Sequence, residues 1–291
     1  MTTVKDDDVR REGAGGDSVM RRTVFITGAS SGIGRQTALL FQERGWNVIA
    51  TMRDPRSEEE LGQLDKVLVT RCDVTDPDSI RTAIDDGLSA FGSIDVLVNN
   101  AGYYLLGPLE AMTYEQIRRQ IDTNLVGVIL VTMAMVPHFR ERRAGTIINL
   151  SSIAGVVSIP LQSLYHATKF GVEGFSEALR YELRPFGIQV KLIEPGVIMT
   201  EFLGRSMAVA HNDALTDYAP YVETVTSNIF ENGEKGSPPR AVAETIYRAS
   251  IEGSRKLRYP VGHLSQLVAL RKALPYRLFE KIMSFSMEKQ R

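Results

Sequence analysis

Short apolar runs alternate along the chain with longer stretches that carry one apolar and one polar face. The runs cover 23–27, 47–52, 67–73, 94–99, 146–150 and 189–193, and they read as strands. Most are continuously apolar, as expected of strands whose two faces are both covered by helices. Helical periodicity fills the intervals at 34–44, 78–91, 114–140 and 161–184. The first of these stops at Gly45, and the last ends before Pro185. The longest apolar run, "LVGVILVTMAMVP" at 125–137, is shorter than the ~20 residues of a membrane span and reads as a buried helix. The pattern predicts an α/β domain on a parallel sheet, without internal repeats or an interdomain linker. Beyond 200 it changes. Residues 201–240 are polar and rich in Gly and Pro, which reads as an irregular lid region beside a strand end. Residues 255–291 read as a basic helical C-terminal extension, divided by Pro275.

The first strand runs into "TGASSGIGRQ", which leaves as a helix. Two chemistries share this spelling. Gly28-Ala29-Ser30-Ser31-Gly32 fits G-x-S-x-G, a turn that exposes a nucleophilic serine. Gly28, Gly32 and Gly34 also fit a loop that seats phosphates on unpaired helix N–H groups. A plain tight turn would have the same spelling. Three features oppose the nucleophile. Only one strand precedes it, no H-G-G-G-like oxyanion loop is present, and none of His138, His166, His211 and His263 has a distinctive setting for a triad base.

The second strand ends "ATMRDP". An acid near this point would bond a ribose 2′-hydroxyl, whereas an arginine pairs with a 2′-phosphate. Arg53 favours NADP(H), and Asp54 just beyond keeps NAD(H) possible. Asp73, at the end of the third strand, could bond an adenine amino group or serve only as a turn or cap. Asp76 and Pro77 read as the next helix start.

"LYHATKFG" sets Tyr165 and Lys169 four apart, on one face of a helix. A tyrosine titrates near 10, and a neighbouring ammonium should lower that value and fit the phenol for proton transfer to or from an oxygen. Ser152, thirteen residues earlier at a strand end, can donate to a developing oxyanion across the sheet's C-terminal edge.

These segments together resemble the short-chain dehydrogenase/reductase family: "TGASSGIG", "NNAG" at 99–102, "DTNLVG" with Asn124, Ser151-Ser152, Tyr165-x-x-x-Lys169 and "EPGVIMT" at 194–200, in that order over about 22–200. The resemblance implies one Rossmann-like, doubly wound domain at 22–291 with a parallel sheet of about seven strands. It implies Gly28, Ser30, Ser31, Gly32, Ile33 and Gly34 at the phosphates and adenosine, Asp73 and Val74 at the adenine, and Asn100, Ala101 and Gly102 at the ribose. Asn99 is implied to brace the central strand. Tyr165 becomes the acid/base, Lys169 the ribose ligand that tunes it, and Ser152 the group that orients the substrate oxygen. Asn124 is implied to hold a water in a proton relay through Lys169. Pro195, Gly196, Val197 and Ile198 would pack near the nicotinamide, and Thr200 would bond its carboxamide. Ser31 replaces the basic residue of many NADP(H) members, so Arg53 must carry the 2′-phosphate, with Arg35 nearby. No metal is implied. Family members pair through helices equivalent to 114–140 and 161–184, so a homodimer or homotetramer is expected.

Tyr103, Tyr104, Leu105 and Leu106, with Phe202, Leu203 and Met207, would give an apolar substrate site. "IATMRD" and "YHATKFGVEGFSEALRYEL" are similar to the branch with 17β-hydroxysteroid and retinol dehydrogenases, which makes a steroid, a retinoid or another bulky carbonyl the expected substrate.

Composition adds limits. The chain of 291 residues is 43% hydrophobic with a formal net charge of -1, which gives no basis for nucleic-acid binding. Cys72 is the single cysteine, so no internal disulfide forms, in keeping with a reducing, cytoplasmic setting. Residues 1–21 mix charges with small residues, lack a signal-like apolar stretch and read as a disordered tail. Nine Lys and Arg within 255–291, against Glu280 and Glu288, allow contact with an anionic membrane surface. A helix covering the pocket, or a subunit contact, accounts for the same pattern.

Overall fold

The computed structural model describes residues 21–199 and 207–288. The expected disordered tail lies almost wholly outside the described residues, as do Thr200, Phe202 and Leu203. Seven parallel strands form one sheet: β1 (Thr23–Thr27), β2 (Asn47–Met52), β3 (Val67–Arg71), β4 (Val96–Asn99), β6 (Gly145–Leu150), β7 (Ile188–Pro195) and β9 (Arg258–Val261), in the order β3-β2-β1-β4-β6-β7-β9. The strand β5 (Tyr104–Leu106) pairs separately with β8 (Met207–Val209).

Alternation along each buried strand sends neighbours to opposite faces. Val24 and Ile26 of β1 join Val48, Ala50, Val96 and Val98 beneath α1 (Gly32–Glu43) and α7 (Pro239–Ile251), whose Ala38, Phe41, Val242 and Ile246 close that layer. Phe25 and Ile49 join Ile147 and Val190 on the other face. There α2 (Pro77–Phe91), α4 (Gly127–Arg142) and α5 (Ser163–Leu183) contribute Ile80, Ile84, Val131, Met135, Phe139 and Leu179. Each large side chain removed from water contributes roughly 1.5–3 kcal/mol. The run at 125–137 thus buries one face against the sheet as part of a longer column. That column comprises α3 (Tyr114–Ile121), a π turn at Asp122–Val126, and α4.

Polar groups lock the central strands to these helices. Asn99 Nδ2 donates to Thr132 Oγ1 at 2.9 Å and to Asn149 Oδ1 at 2.8 Å. Asn149 Nδ2 donates in turn to Ser176 Oγ at 2.8 Å. The brace expected of Asn99 is therefore made with side chains of β6 and α4.

Two expectations need correction. The stretch 201–240 is not irregular throughout, because α6 (Ala219–Glu234) occupies much of it. Its Val222, Val225 and Ile229 pack on the cluster of Tyr104, Leu161 and Tyr165, so tertiary contact supplies what the polar sequence does not. The stretch 255–291 is not wholly helical, since it opens with the seventh strand, β9. Only after it come α8 (Gln266–Ala273) and α9 (Tyr276–Glu288), divided at Pro275 as expected. The strand order reverses between β1 and β4, which opens a crevice at the strands' carboxyl ends, the ligand position of such sheets.

Candidate active site

A cavity of about 1380 Å³ occupies this crevice. At one end the turn after β1 approaches the turn after β4. Gly28 has φ +67° and lies so close that a Cβ there would meet Ala101 Cα at 2.9 Å. A Cβ on Gly34 would meet Gly28 O at 2.3 Å and Asn100 Nδ2 at 2.5 Å. Asn100 explains the closeness: its Nδ2 donates to the carbonyls of Thr27 and Gly28, both at 2.9 Å. Thr27 Oγ1 accepts from the amides of Asn100 and Ala101, both at 3.0 Å. Ser31 is the N-cap of α1 but makes no side-chain cap, so the first helical N–H groups remain for an anion. Gly28, Ser30, Ser31, Gly32 and Ile33 border the cavity, while Gly34 is buried behind them.

Further along the same end stand Arg53, Asp73 and Val74, with Asn100, Ala101 and Gly102 opposite the glycine turn in sequence terms and all on the cavity wall. Asp73 Oδ1 accepts from Thr75 N at 3.0 Å and Thr75 Oγ1 at 2.8 Å, so one of its oxygens serves the turn. Asp76 caps α2 through Asp78 N at 3.0 Å, as its spacing predicts. Asp54 pairs with Arg56 at 2.8 Å. Arg35 does not join Arg53. Its Nη1 donates to both oxygens of Glu58, at 2.8 and 2.9 Å, and its Nη2 donates to Glu60. A loop that no side chain could fill, uncapped helix amides and an arginine beyond them fit a dinucleotide phosphate and ribose.

At the other end α5 brings Tyr165 and Lys169 to the wall, and the end of β6 brings Ser152. The Ser152 hydroxyl hydrogen-bonds the Tyr165 phenol. Ser152 Oγ also accepts from Ala154 N at 3.1 Å and donates to Pro195 O at 3.3 Å. Lys169 Nζ lies 5.7 Å from the centroid of the Tyr165 ring and donates to Leu150 O at 2.7 Å. Pro195, Gly196, Val197 and Ile198 form the adjoining wall.

Electrostatics here corrects the simplest expectation. Burial pushes the Tyr165 phenol up to about 12, with the Ser152 hydrogen bond acting against it. Burial likewise brings Lys169 down to about 8, opposed by the Glu173 carboxylate. Desolvation thus sets the direction of the phenol's shift, opposite to the lowering expected from a neighbouring ammonium.

The side chain of Asn124 is turned to the chain's own backbone. Its Oδ1 accepts from Tyr103 N at 3.0 Å and its Nδ2 donates to Tyr103 O at 2.8 Å. The side chain is committed to the backbone of Tyr103, which Gln120 Nε2 also holds at 3.1 Å. Tyr103 borders the cavity under the guanidinium of Arg119, 4.9 Å from its ring centroid.

Sequence reasoning missed much of the apolar end. Val157, Ile159, Pro160 and Gln162 line it from the loop before α5. Tyr221, Val225 and Ile229 line it from α6, and Leu264, Leu267, Ile282 and Met283 from the C-terminal segment. The last four bear out a pocket-covering role for part of 255–291. Helical spacing of Val222, Val225 and Ile229 was the available signal for α6. Among the described residues no histidine is hydrogen-bonded to Ser30: His138 Nε2 and both ring nitrogens of His166 engage backbone groups of Ile94, Ala154 and Ile159, and His211 pairs with Asp213.

Comparison with known proteins agrees with this geometry. The family pattern described as short chain dehydrogenase matches residues 22–209. A 3-ketodihydrosphingosine reductase of Bacteroides thetaiotaomicron is 38% identical over 245 residues, covering 84% of this chain and 89% of the relative. The crystal structure of a short-chain dehydrogenase from Streptomyces avermitilis superposes with a TM-score of 0.79 at 31% identity, over 93% of this chain and 100% of that one. The protein ElxO, solved with NADP bound, superposes with a TM-score of 0.68 at 28% identity, over 82% and 97%. The chain belongs to the short-chain dehydrogenase family, oxidoreductases that work with a nicotinamide dinucleotide.

Proposed function

We propose that the protein interconverts an apolar ketone and its secondary alcohol, with NADP(H) as the preferred cofactor. One observation carries this: Ser152, Tyr165 and Lys169 converge on a single cavity whose far end is a phosphate-sized glycine turn. The apolar lining from Tyr104, Val157, Val225 and Ile229 supports a hydrophobic substrate such as a steroid, a retinoid or a long-chain ketone. The Bacteroides relative is named for a keto substrate, and ElxO was solved with NADP; both support the same choice.

The nicotinamide, when bound, supplies or accepts the hydride at the carbonyl carbon. Tyr165 gives its phenolic proton to the carbonyl oxygen in reduction, while the Ser152 hydroxyl turns its one hydrogen from Pro195 O to that oxygen. In oxidation the phenolate takes the proton back. A phenol held near 12 stays protonated across neutral pH, so reduction has its acid at hand. Alcohol oxidation needs the deprotonated phenol and therefore rises with pH through the alkaline range. Lys169, brought to about 8, loses its charge within that range and with it the support it gives the phenolate.

The test is turnover on a panel of a steroid ketone, retinal and a long-chain aliphatic ketone, with NADPH and NADH. Tyr165→Phe should cut turnover by about 10²–10⁴-fold, the usual worth of a positioned acid, with NADPH affinity retained. Turnover near the wild-type level in that variant would refute the mechanism.

A further inference from the structure

Beside Tyr165 stands a ring that holds the wall of the substrate cavity with both nitrogens. His166 is 5% exposed. Its Nε2 accepts from the amide of Ile159 at 3.0 Å, and its Nδ1 lies 2.8 Å from the carbonyl of Ala154. The amide can only donate and the carbonyl can only accept. Neutral imidazole with hydrogen on Nδ1 is therefore the form that satisfies both. Ala154 is held from its other side as well, since its N–H donates to Ser152 Oγ at 3.1 Å. One path thus runs from Ser152 through Ala154 to His166 and on to Ile159.

Between the two attachment points lies the part of the wall that carries Ala154, Val157 and Ile159, followed by Pro160 and Gln162. The segment has little regular structure of its own beyond one 3-10 turn at Ile153–Gly155. Its first turn is packed close on α5, where a Cβ on Gly155 would meet Glu173 Cγ at 2.9 Å and Lys169 O at 3.0 Å, but the backbone from Ser158 to Pro160 is tied to that helix through the imidazole. His166 itself stays out of the chemistry: its ring centroid is 6.4 Å from that of Tyr165, and both nitrogens are engaged.

We propose that His166 is a positioning residue that staples the 154–159 wall to the catalytic helix and so sets where a substrate carbonyl meets Ser152 and Tyr165. This rests on the carbonyl-reduction reading above.

Three variants separate its parts. His166→Phe keeps a ring without nitrogens, His166→Asn keeps a donor near the Nδ1 position, and His166→Gln keeps an acceptor near the Nε2 position. In His166→Phe, which loses both bonds, KM for the fastest ketone of the panel should rise at least about tenfold. Its kcat and NADPH affinity should change little. Amide hydrogen exchange at Ile159, measured without ligand, should quicken about tenfold in His166→Phe and His166→Asn but not in His166→Gln. Unchanged exchange at Ile159 overturns the staple. Faster exchange with an unmoved KM overturns its role toward substrate, as does a joint loss of kcat, KM and cofactor affinity. If no ketone is turned over by the wild type, the functional reading fails by itself, and Ile159 exchange still decides the staple.

Discussion

Arg53 occupies the corner where one side chain can choose between two cofactors. It borders the cavity at the end of β2, close enough to Asp73 for its charge to help hold that carboxyl below its usual range. Its neighbours are otherwise engaged: Arg35 with Glu58 and Glu60, Asp54 with Arg56. A charge-assisted contact to a 2′-phosphate contributes roughly 1.5–3 kcal/mol. Arg53→Ala should therefore weaken NADP(H) binding by about ten- to a hundredfold and leave NAD(H) within about threefold. Fluorescence titration of both reduced cofactors measures this, and equal losses would remove the 2′-phosphate from Arg53's account.

The glycine turn acts as an element, because strand, turn and helix meet around one side chain, Asn100. Gly34→Ala would drive a methyl into Gly28 O, which is backbone, and into the Asn100 amide, which is tied to the carbonyls of Thr27 and Gly28. The helix start should move off the phosphate position, weakening both cofactors together by more than about tenfold, in contrast to the selective loss at Arg53. Retained affinity for either cofactor would show that the turn tolerates the methyl. This turn was legible in the sequence because its reason is local: glycines stand where any Cβ collides. The six strands β1, β2, β3, β4, β6 and β7 were legible because burial on both faces leaves an unbroken apolar run. β9 was not, since it is four residues long, begins with Arg258 and is tied by that charge to α5. The polar face of α6 likewise hid a helix whose stability comes from packing on Tyr104 and Tyr165. The Tyr165–Lys169 pair could be read from spacing. The direction of its titration could not, because burial is set by β5, α6 and the loop before α5. Nor could the attachment of Asn124 to Tyr103, which depends on how the π turn faces the end of β4.

Across the whole molecule, α4 and α5 leave large apolar groups in solvent: Met133 at 62%, Phe170 at 45% and Tyr181 at 60% exposure. Covering them by a second copy is expected, and light scattering at micromolar concentration should report more than a monomer. A monomer would reject that. The balance of charge inside the molecule sets a different property, the pH dependence of its stability. Glu194, at 0% exposure near the end of β7, faces Glu173 of α5, Arg258 of β9 and Lys272 of α8. Arg258 Nε is 2.9 Å from Glu173 Oε2 but 3.6 Å from Glu194 Oε1, so Glu173 holds the guanidinium and Glu194 lacks a hydrogen bond. Burial and the Glu173 charge push Glu194 up to about 7 from an ordinary 4.5. The folded protein thus binds this proton more tightly than the unfolded chain. Stability from this group is complete below the unfolded value and is lost as pH rises from about 4.5 to about 7. At 1.36 kcal/mol per unit, the loss at pH 8 is roughly 3 kcal/mol at most. Glu194→Gln fixes the neutral form and removes that loss. Urea unfolding should find the variant close to the wild type at pH 5 and more stable by up to roughly 3 kcal/mol at pH 8. A difference that does not widen between the two would mean that Glu194 stays ionised beside Arg258.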